Sequence, residues 1–87
     1  MECKIIHNQK ESRFETLIDG NLAYVEYIPF RGGLNFTHTW VPKELEGQGV
    51  ASLLVKFALD YTKENNLEVI PTCPFVKAFV KRHPEYK

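Results

Sequence analysis

Cysteine is scarce in this chain of 87 residues: Cys3 and Cys73 stand far apart. With no C-x-x-C pair and no larger even-numbered set, neither a disulfide scaffold nor a zinc module is indicated, and a reducing cytoplasmic setting is expected. A surplus of one charge is also missing, because eleven Lys plus Arg face eleven Asp plus Glu. Binders of nucleic-acid backbones carry a basic excess or stripe, so neutrality argues against a nucleic-acid partner while leaving room for a local anion site. No apolar run approaches the ~18 residues of a spanning helix, and Met1-Glu2-Cys3-Lys4 is unlike a signal peptide, so neither membrane insertion nor export is expected. What is present is 44% hydrophobic and 13% aromatic, the composition of one small globular domain over residues 1–87. A chain of this length buries roughly 64% of its unfolded surface, so most residues serve the framework.

The first half reads as strands. Residues 3–7 and 13–18 form two short ones. Asp19-Gly20 is a favoured type I′ dipeptide, so residues 22–28 fold back antiparallel on 13–18. Ala23, Val25 and Tyr27 then share one face, opposite Leu22, Tyr24, Glu26 and Ile28. Pro29-Phe30-Arg31-Gly32-Gly33 is a turn-rich connection in which the proline stops ladder pairing. In the strand 34–41, strict alternation puts Leu34, Phe36, His38 and Trp40 on one face. After Pro42 the period lengthens: Val50, Leu53, Leu54, Phe57, Ala58 and Tyr61 make one helical stripe, with Asn65-Asn66 as its left-handed stop. Residues 67–70 follow as a buried strand, parallel to 34–41 through a right-handed crossover. A last helix starts at Pro74 and ends before His83-Pro84, with Phe75, Val76, Phe79 and Val80 as its apolar stripe.

The richest segment chemically is Pro42-Lys43-Glu44-Leu45-Glu46-Gly47-Gln48-Gly49-Val50-Ala51, which joins a strand to the long helix. Two glycines one residue apart permit close backbone approach, and amides at a helix N-terminus suit a phosphate or pyrophosphate. An ordinary loop entering a helix is the plain alternative. There is no G-K-[ST] of a P-loop and no third glycine at Rossmann spacing.

The order of elements, with x-x-Gly-x-Gly-x-Ala opening the helix, resembles the acetyl-CoA-binding core of the GCN5-related N-acetyltransferases. Thr37-His38-Thr39, Val41-Pro42, Gly47-Gln48-Gly49-Val50-Ala51, Pro71-Thr72-Cys73 and His83-Pro84-Glu85-Tyr86 look like the compact YjdJ-type branch of that superfamily, over essentially the whole chain. The resemblance implies an α+β fold: a mixed, mostly antiparallel sheet with a βαβ crossover and two helices. It implies CoA pyrophosphate on the backbone amides of Gly47, Gln48, Gly49, Val50 and Ala51, and pantetheine along Thr39, Trp40 and Val41. Glu46 departs from the family's Arg or Gln; its carboxylate repels a pyrophosphate unless it points to solvent, while its amide stays usable. Residues 8–12 are too short for the helices that usually shape the acceptor site.

Pro74 at the first helical position puts Cys73 at or next to the N-cap, where amide donors favour a thiolate able to carry an acetyl group. A small buried hydrophobe is the other reading of Cys73. His38, on the neighbouring strand, is the companion base expected to approach Cys73 across the splayed strands; a packed or rim histidine is the plain alternative. For His7 and His83, exposed or capping roles suffice. Lys77 is the expected contact for the CoA 3′-phosphate, although it and Lys81, Arg82 and His83 also read as a solvated helix face. Phe14, Tyr24, Tyr27, Phe36, Phe57 and Tyr61 are assigned to packing. The functional expectation is an acetyltransferase using acetyl-CoA, without metal, on an unidentified amine, by direct attack or through acetyl-Cys73, as a monomer or weak dimer. The alternatives are a non-catalytic CoA-binding module and a protein or nucleic-acid interaction domain.

Overall fold

A computed structural model describes residues 4–86, and Cys3, where the first expected strand begins, lies outside them. The elements run β1 (Ile6–Asn8), β2 (Arg13–Ile18), β3 (Asn21–Phe30), β4 (Gly33–Trp40), a 3₁₀ turn (Lys43–Leu45), α1 (Val50–Glu64), β5 (Glu68–Pro71), α2 (Pro74–Arg82) and a final 3₁₀ turn (Pro84–Tyr86). One sheet has the order β1-β2-β3-β4-β5. All neighbours are antiparallel except β4 and β5, which are parallel as the crossover requires. Asp19 and Gly20 both take positive φ (50° and 79°) and close the two-residue hairpin with Ile18 opposite Asn21.

Pro29 does not end pairing: β3 continues through it, with Pro29 opposite Leu34. The reason is which side the missing N–H faces. Tyr27 N–H donates to the Ser12 carbonyl, so by period two Pro29 also turns toward β2, which has already ended there. Gly33 lets β5 come close, since a Cβ on it would sit 2.5 Å from both the Glu68 carbonyl oxygen and the Phe30 ring.

The core is a single cluster between the sheet and the two helices, with Phe14, Val25, Phe36, Leu54, Leu59 and Val76 fully buried. The stripe of α1 differs from the expected one. Val50, Leu54, Val55, Ala58, Leu59 and Thr62 are buried, while Leu53 and Phe57 are more than 40% exposed. The helix is rolled about its axis so that Val55 and Leu59 share the contact with Leu54 and Ala58, which an apolar count along the sequence does not distinguish from the Leu53-Phe57 side. Asn66, at φ 54°, supplies the left-handed stop after α1.

The second departure lies in β4. The register passes from Tyr27 opposite Phe36 to Glu26 opposite His38, so Thr37 is an extra residue and a β-bulge. Strict alternation therefore fails. Leu34 and Phe36 face the core, but His38 and Trp40 face the other side of the sheet, while Thr39, opposite core residue Val25, faces inward.

Candidate functional site

Beyond Phe36 the two parallel strands separate. Phe36 opposite Pro71 is the final pair in their register, and the Cys73 N–H still donates to the Phe36 carbonyl at 2.8 Å. From there β5 turns into α2 while β4 runs on to Trp40. Residues 37–40 consequently have no strand pairing on their β5 side among the described residues, and the gap between the diverging strands is a cleft along whose edge an extended chain could pair.

One wall of the cleft leads to the N-terminus of α1. Leu45, 3% exposed, pins the preceding 3₁₀ turn into the core. Gly47 (φ 79°) and Gly49 (φ 76°) are left-handed, with only open space where a Cβ would lie. Gly49 is the N-cap, no side chain caps α1, and its first turn carries no acid. The amides of Val50, Ala51 and Ser52 are thus left without helical acceptors at the positive end of the dipole. Glu46 is exposed, so the condition set for its carboxylate is met, but its N–H donates to the Lys43 carbonyl at 3.2 Å and is not usable, contrary to expectation.

A groove of about 660 Å³ lies against this N-terminus, lined by Gln48, Gly49, Ser52, Leu53, Lys56, Phe79, Arg82 and His83. Lys77 is not among them. It lines a separate groove with Lys63, Val69, Pro71 and Lys81 on the other flank of α2. The difference follows from helical period: Lys77 and Lys81 share one flank, whereas Phe79, Arg82 and His83 share the other, beside Gln48 and Gly49. Arg82 belongs to the basic cluster already singled out in the sequence, whereas Lys56 read only as the polar side of α1, and the packing of α2 beside it gives it company.

Cys73 is the N-cap of α2, with Pro74 as first helical residue. It is 5% exposed, and its Sγ lies 3.4 Å from Thr39 Oγ1. The expected approach of His38 to Cys73 is not made, because the bulge sends His38 to the opposite face of the sheet. There it is exposed, opposite Glu26 and edge-on to Tyr24 with ring centroids 6.4 Å apart. Tyr24 is likewise on this outer face rather than in the packing to which its spacing assigned it. Thr39 and Val41, half-buried, and Trp40, 47% exposed, border the cleft on its two sides.

His7 holds a position that its sequence context does not reveal. Its Nε2 shares a 2.6 Å hydrogen bond with the Tyr27 hydroxyl, its ring stacks on Phe14 with centroids 4.1 Å apart, and Tyr61 meets it edge-on. Burial pushes the His7 imidazole below its ordinary value and the Tyr27 hydroxyl above its own, so both are neutral partners.

Comparison with known proteins agrees with this geometry. The family model described as GCN5-related N-acetyl-transferase matches residues 13–87. Protein NATD1 of Bos taurus is 31% identical over 85 residues, covering 93% of this chain and 74% of that protein. Protein NATD1 of Homo sapiens is 29% identical over the same length. The solution structure of a GCN5-like protein from Staphylococcus aureus superposes with a TM-score of 0.71 at 34% identity, covering 98% of this chain and 82% of that one. With its mixed five-stranded sheet, strand splay and uncapped helix N-terminus, the chain belongs to the GCN5-related N-acetyltransferase family.

Proposed function

We propose that residues 1–87 act as one catalytic unit that transfers the acetyl group of acetyl-CoA to an amine, by direct attack. The observation that carries this reading is the splay of β4 from β5 running into an uncapped helix N-terminus flanked by cations. The residues fit the co-substrate. Amides of Val50, Ala51 and Ser52, with the open backbone at Gly47 and Gly49, would hold the pyrophosphate, and Lys56 and Arg82 the 3′-phosphate. Pantetheine amides would pair with the free edge of residues 37–40, as an added strand does. Acetyl-CoA supplies an activated acyl group as a thioester.

The chain's own residues then orient and move protons. His38, on the open side of the cleft, is placed to accept the proton that the attacking amine loses. On the other side of the sheet, Cys73 and Thr39 form the only hydroxyl–thiol pair among the described residues, positioned to return a proton to the departing thiolate. Because Thr39, which is no base, is the one side chain hydrogen-bonded to Cys73 among the described residues, the geometry favours direct transfer over an acetyl-Cys73 intermediate.

CoA is expected to raise the thermal unfolding midpoint, by the equivalent of about 2.7 kcal/mol at a hundred times its dissociation constant. No shift at millimolar CoA would remove the basis of the reading. Intact-protein mass spectrometry after mixing with acetyl-CoA should find Cys73 unmodified, and a stoichiometric acetyl adduct on it would restore the two-step route.

A further inference from the structure

The sheet ends at β5 on an unpaired edge. β5 is last in the strand order, so among the described residues only β4 pairs with it. The Glu68 N–H donates to the Gly32 carbonyl at 2.8 Å and so faces β4; by period two the N–H and C=O of Val69 face the other way, out of the sheet. An edge of this kind is a template for a further strand. β5 is short and ends on Pro71, which limits the bonds such a strand could make but leaves those at Val69 available. Along this edge runs a groove of about 810 Å³ between the end of α1 and α2, with Leu59, Leu67, Val69 and Val80 in its apolar lining.

Two helices bring cations to this groove. Lys63 stands on the last turn of α1, before the chain enters β5, and Lys77 and Lys81 stand one turn apart on α2, after the chain leaves it. All three are exposed, and none has a carboxylate within ion-pair distance among the described residues. The two acids on the groove do not neutralise them. Glu85 lies 4.0 Å from His83 Nδ1, and Glu68, alternating with Val69, which packs against the core, turns to the opposite face of the sheet.

We propose that this groove docks an extended acidic segment of another polypeptide, which adds to β5 as a further strand and turns an apolar side chain, with a carboxylate two residues away on either side, toward the helices. Alternation puts residues i, i+2 and i+4 of such a segment on one face over roughly 13 Å. The middle one meets the apolar lining, and the outer two meet the lysines of α1 and α2. Main-chain bonds at Val69 supply affinity, and the alternate side chains supply specificity. A small anion would answer the lysines but leave the edge of β5 unpaired. A nucleic-acid backbone would leave the apolar lining unused, and the chain as a whole has no net charge to attract one. The groove lies on the flank of α2 away from the one assigned to acetyl-CoA, so the inference goes beyond the transfer reaction and does not depend on it.

The test uses the full chain labelled with ¹⁵N and a capped peptide, Thr-Asp-Thr-Leu-Thr-Asp-Thr, beside the same peptide with Lys in place of both Asp. The Asp peptide should shift amides of residues 62–71 and 77–81 to saturation, and should bind about ten-fold more tightly than the Lys peptide. At saturation, exchange of the Val69 amide with solvent should slow about ten-fold, because that N–H then donates to the added strand. Lys63→Glu combined with Lys77→Glu, both at exposed helix positions, should abolish the preference for Asp. Unchanged exchange at Val69, equal binding of the two peptides by the parent chain, or a single-stranded uridine heptamer bound as tightly as the Asp peptide would overturn the inference. So would a dimer, found by sedimentation, in which the Val69 amide is already protected before peptide is added, since a second copy would then hold the edge.

Discussion

His7 shows how a single side chain can be fixed by neighbours that its sequence context does not announce. Its imidazole is held below the ordinary value of about 6.5 by burial among Phe14, Tyr27 and Tyr61. The unfolded chain therefore binds more protons than the folded one once the pH drops below about 6.5, so stability falls with decreasing pH there and is complete above it. Urea unfolding between pH 7 and 5 should show a falling midpoint, and His7→Gln should flatten that fall. A parallel decline in both proteins would assign it elsewhere. Glu15, held down chiefly by the hydrogen bond from Arg13, and Asp60, held down by Tyr86 and Lys56 despite burial, act only at the lower pH where carboxylates titrate.

At the scale of elements, the loop into α1 joins a structural need to a binding one. Gly47 and Gly49 are both left-handed, yet a Cβ on either would meet nothing. Substitution there is therefore paid in backbone strain rather than collision. Gly49→Ala should cost about 1 kcal/mol of stability and weaken CoA binding at least ten-fold, because relaxing φ turns the amides of the first turn away from one another. Calorimetric titration with CoA checks the second effect and denaturant unfolding the first. The glycine spacing and the strand-to-helix change of period made this loop legible in the sequence. The acid at Glu46 was legible too, but the use of its amide by the Lys43 carbonyl was not, since no side chain caps the 3₁₀ turn and the burial of Leu45 in the core is what pins it.

The whole molecule is one sheet against two helices sharing a single core, so a core truncation should act on all of it. Leu59→Ala, at a fully buried site midway along α1, is expected to lower stability by about 2–5 kcal/mol with an unchanged denaturant slope. A second transition would mean that the helices and the outer strands unfold separately.

The regular elements and their order were legible in the residues alone. Turn dipeptides, Pro74 at a helix start, Asn66 at a helix end and the period of the apolar residues are local signals, and local torsions obey them. The residues also carried the loop of Gly47 and Gly49 and the place of Cys73. Which side chains meet depends on how those elements pair and pack. A bulge is a property of two paired strands, so the inward turn of Thr39 and the outward turn of His38 and Trp40 follow from β3, not from the alternation of β4. The roll of a helix is set by what it packs on, which is why Lys56 and Arg82, rather than Lys77, stand beside the uncapped amides.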